Sequence, residues 1–147
     1  MLFRSLHGFS AATTLGGVLH AADTDAPESF CEEALTLAPE TMRAARAFVR
    51  RERITLNTLV QGAWAALLSR YSGDSDVVFG TTVAGRPTGL SGSDTMVGLF
   101  INTLPVRTMV EPAEPVGAWL RTLQSGLAEM RQFDFASLVR IDRKSVV

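Results

Sequence analysis

A chain of 147 residues is enough for one ordinary domain or for part of a larger one. With 46% hydrophobic and 20% charged residues it can bury a core, which excludes a disordered chain. A net charge of −1 leaves no broad basic field for nucleic acid, and the lone Cys31 excludes a disulfide framework or a cysteine-cluster metal site.

The first 28 residues show no sustained period and read as an irregular lead-in arm. Their apolar stretch is broken by His7, Ser10, Thr13 and Thr14, unlike the unbroken core of a secretion signal. No run reaches the ~18 apolar residues of a membrane span, so a cytoplasmic location is expected. At the other end, Lys144 is the only lysine among 14 basic residues. Residues 142–147 are therefore expected to be a non-native tail.

Residues 29–37 alternate well enough to predict a short strand, with Cys31, Leu35 and Leu37 on one side. Pro39 then suits the first turn of a helix ending near Arg53. Met42, Ala45 and Val49 make its inner stripe, and Arg43, Arg46 and Arg50 its wet face. A second helix starts at Thr55, whose hydroxyl can cap an otherwise unpaired amide, and stops at Gly73. Its apolar stripe is Leu56, Leu59, Val60, Ala63, Trp64, Leu67, Leu68 and Tyr71, expected to face a core.

Residues 76–84 are β-branched and apolar on both faces, predicting an interior strand that ends at Gly85-Arg86-Pro87. Residues 100–109 predict a second strand, placed at an edge or bulged by Pro105, which has no N–H to donate. Pro115 opens a last helix with Val116, Trp119, Leu120, Leu123, Leu127 and Met130 inward. The fold class is α/β, helices packed on a mixed sheet.

Little nucleophilic or acid–base chemistry is visible. Gly89-Leu90-Ser91-Gly92-Ser93 has its second glycine one place early for a nucleophile elbow, and no glycine-rich phosphate loop occurs. His7 and His20 sit in the irregular arm as surface residues. No catalytic residue and no metal ligand is assigned. Arg86, at a strand end, either meets a ligand or braces its loop. Arg107 either points inward with a partner or is a solvated edge residue. Asn102 and Thr103 fall on opposite faces of their strand.

Taken together, residues 55–73, Asp76-Val77-Val78-Phe79-Gly80, Gly85-Arg86-Pro87 and residues 97–107 resemble the condensation domains of nonribosomal peptide synthetases. The stretch Val97-Gly98-Leu99-Phe100-Ile101-Asn102-Thr103-Leu104-Pro105-Val106-Arg107 is similar to that family's fifth core motif. Residues 3–16 resemble its lead-in, and residues 130–139 a later helix-to-loop stretch. Ala84 stands where a serine is more usual, Thr14 where a proline is, and Ala136-Ser137 where Thr-Pro is.

The resemblance implies a two-lobed, chloramphenicol-acetyltransferase-like fold, with residues 29–141 forming most of the C-terminal lobe. It implies an acyltransferase-like catalytic activity in secondary metabolite biosynthesis, joining a carrier-bound acyl or peptidyl thioester to a carrier-bound aminoacyl acceptor. No cofactor is bound directly; the substrates ride on the phosphopantetheine of partner carrier domains. The other implied partners are the N-terminal lobe of the same domain and the adenylation domain of the same synthetase, with no nucleic acid and no membrane. Gly85, Arg86, Pro87, Asn102, Thr103 and Arg107 are expected along the substrate tunnel. The family's HHxxxDG motif belongs to the other lobe and does not occur here. The chain alone is therefore expected to be inactive. The alternatives are a non-catalytic module that docks to carrier or condensation domains and, less simply, an acyltransferase assembled from two copies.

Overall fold

A computed structural model describes residues 32–84 and 95–133, with Leu6, Gly8, Phe9, Thr13 and Gly92. Its elements run α1 (Pro39–Glu52), α2 (Leu56–Ser72), β1 (Asp76–Ala84), β2 (Ile101–Met109) and α3 (Val116–Met130), followed by a single 3-10 turn (Arg131–Phe133). Helices lie against a small sheet, the α/β arrangement expected.

Helix α1 begins with a proline, whose fixed φ and absent N–H suit the first turn. Glu40 near its start and Arg50 and Arg51 in its last turn complement the helix dipole. Arg53 ends it in the left-handed region (φ 56°), and the next two residues begin the turn into α2. Thr55 caps α2 as expected, its Oγ1 accepting from the Thr58 amide at 3.0 Å, and Gly73 closes the helix at φ 80°.

The strands pair antiparallel from Asp76↔Met109 to Ala84↔Ile101 without a bulge. The Val110 amide donates to the Ser75 carbonyl at 2.7 Å just beyond the strands. Hydrogen-bonded and open pairs alternate from there, making Gly80↔Pro105 an open pair with the proline nitrogen turned away from β1. Among the described residues Pro105 therefore stands at an edge, and it needs no bulge. Among the described residues the sheet is this one pair, so β1 has no second strand beside it and its expected interior position is not seen. Its outward Val78 amide donates instead to Thr13 Oγ1 at 2.9 Å.

One face of the sheet carries Val77 and Phe79 beside Leu104 and Val106, and the helices cover it. Leu104, Val106, Leu120, Leu123, Leu127 and Met130 pack with Val49 and Ile54 in the main core. A smaller cluster of Ala65, Leu68 and Val77 holds α2 down. On α3 the expected inward face is correct for Leu120, Leu123, Leu127 and Met130, whereas Val116 is exposed.

Two further expectations are corrected. Residues 32–37, the described part of the expected 29–37 strand, are irregular and exposed. A strand is made by its ladder, and β1 and β2 pair only with each other among the described residues. The second correction concerns α2. Its buried residues are Thr58, Gly62, Ala65 and Leu68. Leu56, Val60, Trp64, Leu67 and Tyr71 instead remain 39%, 60%, 44%, 45% and 52% exposed. The small residues explain the choice: Gly62 lies directly under the Leu120 side chain, and any Cβ there would overlap it. The face that can approach α3 and the sheet most closely is the one taken.

Candidate functional site

The sheet face turned away from the helices carries Asp76, Val78, Gly80 and Thr82 on β1 and Thr103, Pro105 and Arg107 on β2, by the strict alternation of a strand. Arg107 and Asp76 are diagonal neighbours across the ladder. Arg107 Nε donates to Asp76 Oδ1 at 2.8 Å and Nη2 to Oδ2 at 2.6 Å, a two-pronged pair. The Arg107 guanidinium also lies over the Phe9 ring, 5.5 Å from its centroid. Arg107's hydrogen bonds hold the Asp76 carboxyl below its ordinary range, and Asp76 raises Arg107 in turn. Arg107 is thus half-buried and paired. Its charge is already matched, which suits it to fixing the sheet rather than to receiving an anion.

Asn102 and Thr103 do fall on opposite faces. Asn102 shares the helix-facing side with Leu104, and its Oδ1 accepts from the Thr103 amide at 2.9 Å. Thr103 lies opposite Thr82, and its methyl group closes over Gly80, where an added Cβ would come within 2.9 Å. The register sets Asn102 and Thr103 beside Val83 and Thr82, at the end of β1 that leads to residue 85. Arg107 sits towards the opposite end, about 13 Å from Thr103 along the strand. The structure therefore brings Asn102 and Thr103 together at one end of the sheet and sets Arg107 apart. Gly85, Arg86 and Pro87 lie outside the described residues, as do His7, His20 and the 142–147 tail.

A groove of about 320 Å³ runs between β2 and α3, lined among others by Pro105, Arg107, Met109, Trp119, Leu123 and Leu127. Trp119 braces its floor by donating Nε1–H to Thr108 Oγ1 at 3.1 Å. Among the described residues no three of His, Cys, Asp and Glu stand close enough to hold a metal ion.

Sequence reasoning does not identify the groups that position this face. Asp76 reads only as a strand start, and its role depends on a cross-strand register. Gln124 does not stand out either. Its Oε1 accepts from the Thr55 amide at 2.7 Å and from Thr58 Oγ1 at 3.1 Å, while its Nε2 donates to the Arg53 carbonyl at 3.1 Å. One side chain of α3 thereby ties down the whole α1–α2 turn. The only signal in the sequence is a polar residue beside an apolar stripe, which is common on helices.

The Condensation domain family model matches residues 11–145. A linear gramicidin synthase subunit from Brevibacillus parabrevis is 47% identical over 137 residues, covering 92% of this chain and 3% of its own length. Chondramide synthase cmdD from Chondromyces crocatus is 43% identical over 143 residues, 97% of this chain and 4% of its own length. The chain thus spans only a few per cent of these relatives. Among solved structures, the first condensation domain of the CDA synthetase superposes with a TM-score of 0.65 at 24% identity, over 76% of this chain and 24% of that one. The X-domain from teicoplanin biosynthesis does so with a TM-score of 0.61 at 28% identity, over 70% and 23%. Family match, relatives and fold agree: the chain belongs to the condensation domain family of nonribosomal peptide synthetases.

Proposed function

We propose that this chain supplies most of the C-terminal lobe of a peptide-bond-forming condensation domain. In the complete domain the amine of a carrier-bound aminoacyl group attacks the carbonyl carbon of a carrier-bound acyl or peptidyl thioester. The C–N bond forms, the C–S bond breaks, the thiol leaves on the donor's phosphopantetheine, and the amine gives up a proton. Such a step needs the two reactants held together and a positioned group to manage that proton. The outer sheet face supports the first need. Thr103, with Gly85, Arg86 and Pro87, would line one wall of the tunnel for the pantetheine arms, while Asn102 would support that wall from the helix-facing side by accepting from the Thr103 amide. Arg107 acts there as a positioning residue through Asp76. The second need belongs to a lobe carrying HHxxxDG.

The observation that carries this reading is the 47% identity over 92% of the chain to a gramicidin synthase subunit, in a sequence without that histidine motif. The partners that follow are the N-terminal lobe, peptidyl carrier domains and an adenylation domain, in the cytoplasm. No helix among the described residues is long and apolar enough to cross a membrane.

The test compares the 147-residue chain with the same chain joined to the N-terminal lobe of a gramicidin synthase condensation domain. Both are given acyl- and aminoacyl-pantetheine thioesters on carrier domains. Amide product is expected from the joined protein alone. Product from the single chain, or none from a folded joined protein, overturns the reading.

A further inference from the structure

The described residues of the lead-in arm are fastened to the rest of the chain by a turn and a clasp. In the turn the Phe9 amide donates to the Leu6 carbonyl at 3.1 Å, and Gly8, third of the four residues, has φ 76°. A left-handed third residue is what a type II turn requires, and glycine adopts it without steric cost. The turn places Leu6 in the main core, 8% exposed. It sets the Phe9 ring against the guanidinium of Arg107, whose side chain lies on the outer sheet face. The clasp comes four residues later, where Thr13 Oγ1 accepts from the outward Val78 amide at 2.9 Å.

Turn and clasp meet one rung of the ladder, because Val78 and Arg107 are register partners. Phe9 holds the rung at its β2 side and Thr13 at the outer edge of β1. Arg107 is fixed in turn by its two-pronged pair with Asp76. The ring therefore rests on a cation that is itself held in place, which a solvated arginine could not offer. This rung lies away from the Thr103 end of the sheet, so the arm is anchored without covering that end.

We propose that Phe9 is a positioning residue: seated on the Arg107–Asp76 pair, with Thr13 as the second hold, it fixes the arm on this lobe and so sets where the other lobe stands. This rests on the reading of the chain as a C-terminal lobe. In that reading the lobe carrying HHxxxDG comes first, and Leu6 to Thr13 lie between the two lobes in sequence. Amide formation needs groups of both lobes in register, and a misplacement of about 1 Å can cost about 100-fold in rate.

The experiment uses the joined two-lobe protein with one spin label on each lobe. It reads the distance between the labels together with kcat and KM for amide formation, with circular dichroism as the check on folding. Phe9→Leu keeps apolar bulk and loses the aromatic face. It should broaden the label distance and lower kcat about tenfold, with KM for each carrier-bound thioester changed less than about twofold. Phe9→Tyr keeps the face and should retain the parent's distance and kcat. Gly8→Ala strains the turn without a clash, since nothing lies within 4 Å of a Cβ added there, and should act as Phe9→Leu does. A parent-like label distance in Phe9→Leu and Gly8→Ala overturns the proposal, as does a change in KM with kcat unmoved, or a tyrosine variant no better than the leucine. A joined parent that forms no amide counts against the catalytic reading alone, and the label distances then decide this one.

Discussion

At the scale of single residues, the outer sheet face depends on one ion pair. Asp76 and Arg107 are about 20–30% exposed at the side chain and doubly hydrogen-bonded, which places them between a solvated surface pair and a buried one. The pair's worth is accordingly about 1 kcal/mol. Arg107 lowers the carboxyl pKa of Asp76 in the folded chain. The contribution is therefore fully present above the unfolded carboxyl value of about 3.9 and is lost as pH falls through the lower folded value. Urea unfolding should find Asp76→Asn about 1 kcal/mol less stable than the parent at pH 7, with the gap closing as the pH falls from the unfolded carboxyl value of about 3.9 through the lower folded one. A gap unchanged by acid would mean that the asparagine acts through packing and not through charge.

Among the elements, the turn between α1 and α2 depends on Gln124. Replacing it by leucine removes two acceptor contacts and one donor contact: the Thr55 amide and the Arg53 carbonyl lose Gln124, and the buried Thr58 hydroxyl keeps only Thr55 Oγ1. The cost should be about 1–3 kcal/mol in thermal or urea unfolding. Gln124→Glu keeps the acceptor that serves Thr55 and Thr58 and loses only the donor, so it should cost less than the leucine. If the two cost the same, the donor bond to Arg53 carries the latch. This also marks where local sequence signals end. Thr55, Gly73, Pro39 and the bounds of both strands were legible because each is decided by a few neighbouring backbone groups. The Gln124 and Asp76 contacts span 66–71 and 31 residues, and become visible only once register and helix packing are known. Asn102 and Thr103 were separable in advance because a strand alternates; the distance of Thr103 from Arg107 follows from the rise of about 3.3 Å per residue.

For the whole molecule, the question is which side of α2 is the inside. Its sequence is apolar almost all round, and periodicity cannot choose a face when both qualify. Packing chooses by closeness of approach: Gly62 and Ala65 let Leu120 and Val77 come in, and the large side chains are left outward. The buried apolar mass therefore centres on β2 and α3, with Leu104 and Leu120 at its middle. Substitution at the two sides should separate sharply. Leu104→Ala opens a cavity in a site with no exposure and should cost about 2–5 kcal/mol. Leu67→Ala, at a position 45% exposed, should change stability by no more than about 0.5 kcal/mol. Both are read from urea unfolding of the 147-residue chain. A Leu67→Ala loss approaching that of Leu104→Ala would mean that this face of α2 is covered within the monomer, and would move the centre of the fold to the other side of the helix.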